Sequence, residues 1–352
     1  MSKEFKSKID VQSESFLKNR AEMLKKIKEM RNLEKRSFNA SESKRKKFED
    51  RNQLTPRERL NALIDPDSEF IELYNMAGFL VEDNNPETSI PGASVIAGIG
   101  FIKGVRCMIM VDDSGINAGA ATSTTVDKCV GCLEISLEKK LPFVHLVESA
   151  GINLMNYKVE IWARAGGMFA GLAKLSAAGV PTITILHGLS TAGGAYNVGM
   201  SDYVIGVKKN GMAALAGPAL LKAATNEVAS NKELGGSEMH ATVSGLVEYL
   251  AEDDSDAIDI ARNVVNALDW NSGFSTIKDN DYIEPKYDID EIAGIVNLDY
   301  KKPYDAREII LRLVDDSSFI EFKPRYGITT LCFQADINGN SCGIIANNGP
   351  ID

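Results

Sequence analysis

From Val11 to Arg36 the apolar residues Phe16, Met23, Ile27, Met30 and Leu33 recur near helical spacing and predict one amphipathic helix. The stretch from Ser37 to Asp50 is polar and charged, which predicts an exposed connector. Thr55-Pro56-Arg57-Glu58 has the chemistry of a helix start, with Thr as cap, Pro first and Glu third, and that helix ends near Asp65-Pro66. Two apolar runs, Ser94–Gly100 and Val105–Val111, flank a turn at Lys103-Gly104 and predict a hairpin. Beyond them the pattern alternates. A helix from about Thr124 to Lys139 precedes a strand at Phe143–Val147. A helix from about Val159 to Ala178 precedes a strand at Thr182–Leu186. A Gly-rich turn, a short helix, a strand at Tyr203–Val207 and an amphipathic helix at Asp256–Leu268 follow. Strands alternating with helices predict an α/β fold. Asn271–Pro285 is polar and reads as a boundary.

After that boundary the pattern repeats. Arg57–Leu73, RERLNALIDPDSEFIEL, is matched by Arg307–Phe322, REIILRLVDDSSFIEF. Ile102-Lys103-Gly104-Val105-Arg106-Cys107 is matched in the same order by Ile337-Asn338-Gly339-Asn340-Ser341-Cys342, and the two runs end at Asp112-Asp113 and Asn347-Asn348. Two matches in one order imply a tandem duplication of one module. By analogy with the first copy, the second stops at Asp352 just past its first hairpin. Its strands, Leu331–Ile337 and Gly343–Ala346, are therefore expected to present edges and apolar faces that favour an oligomer.

The 352 residues are 44% hydrophobic and 25% charged, enough for a large core and against global disorder. No run of about 18 apolar residues is free of charge, so no membrane span is expected, and MSKEFKSKID lacks the apolar segment of a secretory signal. Five cysteines are too few for a disulfide framework and point to a reducing cytoplasm. Residues 1–59 hold 18 Lys+Arg against 10 Asp+Glu, while the whole chain is at −10. The interleaved Glu14, Glu22, Glu29 and Glu34 favour a solvated helix docking on a neighbouring subunit over a nucleic-acid arm.

Most motif-like segments have plain explanations. Gly98–Gly104 leads into a strand rather than a helix, so it is a hairpin and not a dinucleotide loop. Cys129-Val130-Gly131-Cys132 lacks a second ligand pair and lies in a predicted helix, so small buried thiols fit better than zinc. No Gly-x-Ser-x-Gly elbow is present. His145 lies mid-strand and reads as core, and His187 ends a strand before a Gly-rich turn. Two segments carry more. Glu148-Ser149-Ala150-Gly151-Ile152-Asn153 follows one buried strand, and His187 to Tyr196, including Thr191-Ala192-Gly193-Gly194-Ala195, follows another. Small residues at strand ends let backbone approach a ligand, and free N–H groups there can stabilise an oxyanion or enolate without an acid or base. Tight helix–strand packing selects the same residues, and spacing alone leaves both readings open.

At these residues the chain resembles the carboxyltransferase (β) subunits of biotin-dependent acyl-CoA carboxylases, the propionyl-CoA and 3-methylcrotonyl-CoA type. The resemblance is carried by Leu54–Leu60 with Asp65-Pro66, by Ser149–Leu154, Thr191–Tyr196 and Met200-Ser201-Asp202, by Gly217-Pro218, Lys222–Glu227 and Glu233–Gly236, and by Gly294–Val296, Lys302–Glu308 and Ile345–Gly349. It covers nearly all of residues 54–352. Ala150 departs from it, standing where the family usually has Gly.

The resemblance implies a crotonase-like carboxyltransferase N-domain followed by the truncated start of a second, homologous domain: an arm at 1–53, an acyl-CoA-binding domain at 54–285 and the start of the C-domain at 286–352. It implies biotin carried on a partner, a coenzyme A thioester as substrate, and carboxyl transfer through an enolate held by backbone N–H groups. Ala150 and Gly151 are the expected oxyanion donors. Gly193 and Gly194 are expected to shape the pocket floor, Asn117, Ala118, Gly119, Ala120 and Ala121 to lie along the CoA, and Lys128 to meet a phosphate. Expected partners are a biotin carboxylase/biotin carrier subunit and either further copies of this chain or one that supplies the C-domain. Neither nucleic acid nor membrane is expected. Rival readings are a biotin-dependent decarboxylase subunit, a non-catalytic acyl-CoA-binding assembly subunit, and a hydratase using Glu148 or His187.

Overall fold

The computed structural model describes residues 5–152, 159–270 and 281–349. They form two compact units, residues 33–273 and residues 1–32 with 274–352. The division falls within α1 (Glu14–Glu42), which runs on through the expected connector and is followed by α2 (Arg45–Glu49). Some of the polar residues there are engaged, which a pattern of charges does not reveal. Ser41 donates to the buried Asp113 carboxylate at 2.6 Å, and Phe48 is buried. The arm placed at 1–53 is therefore divided. Its later part belongs to the larger unit. Its earlier part bonds within the smaller one, where the Ser7 hydroxyl donates to Glu308 at 2.6 Å and Phe16 is buried over Gly294. The expected boundary at 271–285 lies mostly outside the described residues, as do Asn153 and Leu154 of the first loop.

The larger unit opens with α3 (Pro56–Leu63). Its Thr55 hydroxyl accepts the Glu58 N–H, while the Glu58 carboxylate accepts the Thr55 N–H, closing a capping box worth about 1 kcal/mol. Then come β1 (Ile71–Glu72), β2 (Val95–Ile102) and β3 (Val105–Asp112), mutually antiparallel, with Ile102 opposite Val105. Lys103 and Gly104 sit at φ 50° and 76°, the left-handed pair that a two-residue hairpin requires. The alternation that follows is α4 (Ser123–Lys139), β4 (Phe143–Ser149), α5 (Val159–Ala177), β5 (Thr182–Thr191), α6 (Gly193–Gly199) and β6 (Tyr203–Val207). The unit continues through β7 (Met212–Ala214), α7 (Pro218–Thr225), α8 (Asn231–Gly235), α9 (Ser237–Met239), β8 (Tyr249–Ala251) and α10 (Asp254–Ala267).

Strands β3, β4, β5, β6 and β8 run parallel in that order, and β7 joins the far end of β5. That pairing, with Ser149 opposite Ser190, keeps β5 extended to Thr191 where the sequence predicts a turn after Leu186. Both sheet faces are covered. Leu60 and Leu63 of α3 and Ala257, Ala261 and Val265 of α10 pack on Ile109, Val144 and Ile183. Cys132 and Leu133 of α4 and Leu172 and Leu175 of α5 pack on Met108, Met110 and Phe143. Each fully buried aliphatic side chain contributes about 1.5–3 kcal/mol.

The smaller unit holds α11 (Ile292–Ile295), α12 (Ala306–Ile310) and an antiparallel sheet of β9 (Phe319–Phe322), β10 (Thr330–Ile337) and β11 (Asn340–Asn347), in the order β11-β10-β9. It repeats the wiring of the first hairpin. Asp65 accepts the N–H groups of Lys103 and Gly104, each at 2.7 Å; Asp315 accepts those of Asn338 and Gly339 at 2.9 and 2.7 Å. Arg57 grips Glu72 through two bonds, and Arg307 grips Glu321 likewise. Asn338 and Gly339 reproduce the positive φ values, 49° and 71°. The duplication read from sequence is thus a duplication of structure. Among the described residues no helix is long and apolar enough to cross a membrane.

Candidate active site

Parallel sheets place loops at the carboxyl ends of their strands, and here three of them meet in the larger unit. The first leaves β3. Asn117, Ala118 and Gly119 take φ values of 49°, 53° and 68° in succession, making one tight turn. The second leaves β4. The Ser149 hydroxyl donates to the Gly119 carbonyl at 2.7 Å, and the Ala121 N–H donates to the Gly151 carbonyl at 2.8 Å, so the two loops are laced together. Gly151, at φ 82°, faces the Thr191 carbonyl; a Cβ there would sit 3.1 Å from that oxygen in a conformation L side chains rarely adopt. Ala150 is not among the residues with positive φ, so the methyl that departs from the family pattern causes no backbone strain. The third loop leaves β5 through Ala192, at φ 52°, into α6.

The two N–H groups nominated as oxyanion donors are already in use. Ala150 N–H donates to the Ala118 carbonyl and Gly151 N–H to the Ser149 hydroxyl oxygen, each at 3.1 Å. Gly193 and Gly194 open α6 as expected, and their N–H groups have no hydrogen-bond partner among the described residues. Asn117 and Ala118 are exposed and Ala120 half-buried, leaving that turn accessible to a ligand. Lys128 is a correction. Its side chain is turned inward and 2% exposed, and its ammonium donates to the carbonyls of Gly92 and Val95 at 3.2 and 2.6 Å. It ties α4 to the entry of β2 and does not reach a phosphate; burial also lowers its pKa.

Between α4, α5 and the three loops lies a cavity of about 120 Å³. Gly119, Ser149, Gly151, Gly193 and Gly194 line one part of it, and Val126, Cys129, Ala165, Gly166, Met168 and Phe169 give it an apolar wall. His145, read from sequence as core, lines it with Asp112, as does Asn197. Cys129 and Cys132 are buried thiols whose pKa burial raises, that of Cys132 to about 11.

Glu148 and His187 point elsewhere. Glu148 accepts from Arg59 at 2.7 Å, and the His187 Nδ1 pairs with Asp254 at 2.8 Å. Neither lines the cavity, and burial, then the nearby Arg59, push the His187 pKa down. The acid or base side chain that a hydratase would draw from Glu148 or His187 is therefore absent from the cavity wall.

The carboxyl transferase domain family model matches residues 47–350. The chain belongs to that family. It is 39% identical to the methylcrotonoyl-CoA carboxylase beta chain of Arabidopsis thaliana, covering 97% of this chain and 59% of that protein. It is 37% identical to the biotin-dependent 3-methylcrotonyl-coenzyme A carboxylase beta1 subunit of Mycobacterium tuberculosis, covering 89% and 59%. The geranyl-CoA carboxylase beta subunit of P. aeruginosa superposes with a TM-score of 0.90 at 43% identity, covering 99% of this chain and 64% of that one. The chain thus spans between half and two thirds of the length of these relatives, and its fold is that of carboxyltransferase beta subunits, as the resemblance implied. Carboxyl transferase relatives are named as biotin-dependent, and the cavity does not fit biotin beside an acyl group. Its volume is below that of an engineered pocket that takes benzene, and biotin is a fused bicycle.

Proposed function

We propose that this chain supplies the acyl-CoA half of a carboxyltransferase site in a biotin-dependent acyl-CoA carboxylase. The observation that carries this reading is the meeting of two small-residue loops, through Ser149 and Gly151 of one and Gly193 and Gly194 of the other, on an apolar cavity that Ala150 itself does not line. The acyl group enters the cavity, the thioester rests at the loops, and the CoA runs over the exposed turn at Asn117–Ala120. Biotin carried by a partner subunit would supply the carboxyl group from outside this cavity. This chain's own residues bind the thioester, exclude water from the α-carbon and hold the developing enolate oxygen.

Holding that oxygen requires a free N–H. In this reading Ala150 or Gly151 exchanges its internal acceptor for the thioester oxygen when substrate binds, and Gly193 and Gly194 shape the opposite wall. The Ser149 hydroxyl donates to Gly119 and can keep that bond while releasing the Gly151 N–H. Losing one such donor costs about 10²–10³ in rate. A biotin carboxylase/biotin carrier subunit is the proposed partner, a homo-oligomer the proposed assembly and the cytoplasm the proposed setting.

Calorimetry with acetyl-, propionyl- and 3-methylcrotonyl-CoA tests the reading. Binding of at least one is expected, and no heat from any of them at millimolar ligand would sink it. Ala150→Pro removes one N–H. In enzyme reconstituted with its partner chains it is expected to lose 100-fold or more in turnover, and near-normal turnover would take residue 150 off the donor pair.

A further inference from the structure

Glu148 stands directly before the Ser149–Gly151 loop, and the β4–β5 pairing breaks at it. Val147 pairs with Leu186 and Ser149 with Ser190, so Glu148 alone lies opposite His187, Gly188 and Leu189. Bulges re-aim the chain and recur beside functional sites. All three loops of the site bear on this residue. Its N–H donates to Asp112, at the end of β3, at 3.1 Å. Gly119 of the first loop packs on its carbonyl, where a Cβ would sit 2.5 Å from the oxygen. Gly188, on the way to the third loop, packs on its side chain, where a Cβ would sit 2.5 Å from the carboxyl carbon. The Glu148 carboxylate is buried and accepts from Arg59 Nη1 at 2.7 Å. Arg59 Nε donates in turn to Asp254 at 2.9 Å, and Asp254 pairs with His187 at 2.8 Å.

Stability alone does not account for this cluster. One buried guanidinium faces two buried carboxylates, with the exposed Arg51 3.7 Å from Glu148 at the edge. Arg59 Nη2, His187 Nε2 and Gln53 Oε1 are buried without partners among the described residues, although Gln53 Nε2 donates to the His187 carbonyl. Buried ion pairs are weak stabilisers compared with apolar packing, and unpartnered polar atoms carry a cost. Nor does the cluster belong to the duplicated wiring. The Arg57–Glu72 brace recurs as Arg307–Glu321, whereas Arg59 falls on Ile309 in the matched segment. We propose that Glu148, clamped by Arg59, is a positioning residue: it holds the β4–β5 bulge and so sets the Ser149–Gly151 loop against Gly193 and Gly194, where an acyl thioester is held. It acts through the backbone and does not touch the substrate. This rests on the acyl-CoA reading above and adds the residue that keeps its two loops in register.

The test is calorimetry on the 352-residue chain with free CoA, propionyl-CoA and 3-methylcrotonyl-CoA. The readout is the preference for the acyl compound over CoA, which a loss of stability alone would leave unchanged. Glu148→Ala leaves Arg59 paired with Asp254, so no buried charge stands alone. It is expected to reduce that preference about 10-fold, the size of one misplaced hydrogen bond, with CoA affinity unchanged. Glu148→Gln, which keeps an acceptor for Arg59, is expected to retain most of the preference. Gly188→Ala keeps every charge but displaces the Glu148 carboxylate, and is expected to act as Glu148→Ala does. If Glu148→Ala fails to fold by circular dichroism, Gly188→Ala decides. A preference unchanged in the variants, an equal loss for CoA and acyl-CoA, or a Gln variant as impaired as Ala overturns the positioning role and leaves the parent reading standing. A wild-type chain that binds acyl-CoA no more tightly than CoA does the same. A wild-type chain that binds neither acyl compound overturns both.

Discussion

The two hairpins of this chain, β2–β3 and β10–β11, are wired alike and buried differently. Each has a two-residue turn at positive φ whose N–H groups are held by an aspartate, and each is braced by an Arg–Glu pair. Yet Met110 is 1% exposed, while its counterpart in register, Ile345, is 77% exposed. The wiring is local, set by residues close in sequence. The burial comes from neighbours: β3 has helices on both faces of its sheet, whereas the apolar core of the smaller unit lies on one side of β10 and β11. Repeating a sequence motif repeats its turn chemistry and does not repeat its surroundings.

The sharpest way to break the comparison is to charge the matched positions. Met110→Lys places an unpaired ammonium in a closed core and is expected to cost about 4 kcal/mol or more, enough to unfold the larger unit. Ile345→Lys is expected to change stability by less than about 0.5 kcal/mol. Urea unfolding followed by circular dichroism reads both. Equal losses would mean that Ile345 is covered in the folded protein.

The next contrast removes the turn anchors. Asp65→Ala strips two backbone N–H groups and Arg262 of their acceptor and is expected to cost about 2–3 kcal/mol; Asp315→Ala, which frees two N–H groups, about 1–2. Thermal melts of the two variants should keep that order, and a larger loss at Asp315 would reverse the reading of which hairpin is the more tightly held.

A smaller effect is acid sensitivity. Burial works to raise the Asp65 pKa, but the N–H groups of Gly104 and Lys103 and the Arg262 guanidinium outweigh it and leave it below its usual value. A carboxylate depressed in the folded state stabilises above its unfolded pKa, near 4, and loses that contribution as pH falls through the folded value. Asp65→Asn should therefore flatten the fall in stability below about pH 4. An unchanged acid limb would show that Asp65 is not part of it.

Much of this was legible in the chain. The β2–β3 turn, α4, the α/β alternation and the duplication follow from turn residues and periodicity. What stayed hidden has physical reasons. β4 is buried throughout, as strands inside parallel sheets are, so it lacks the alternation that would show which face His145 occupies, and it read as core. Lys128 read as a phosphate contact because its carbonyl acceptors, Gly92 and Val95, are distant in sequence. The run from His187 to Thr191 read as a turn because β7, which holds it extended, is only three residues long. The loop at Ala150 and Gly151 was found as a place, but where its N–H groups point depends on Ala118 and Ser149, a matter of tertiary geometry.

That last feature bears on timing. At rest the Ala150 and Gly151 amides are satisfied within the protein, so a thioester that claims one must displace a bond worth about 1 kcal/mol. The apparent affinity is discounted several-fold, and a loop that re-forms its own bond helps expel what it held. In backbone hydrogen exchange these two amides would exchange slowly in the empty protein, and a bound thioester would alter their rates while leaving those of the β4 interior unchanged.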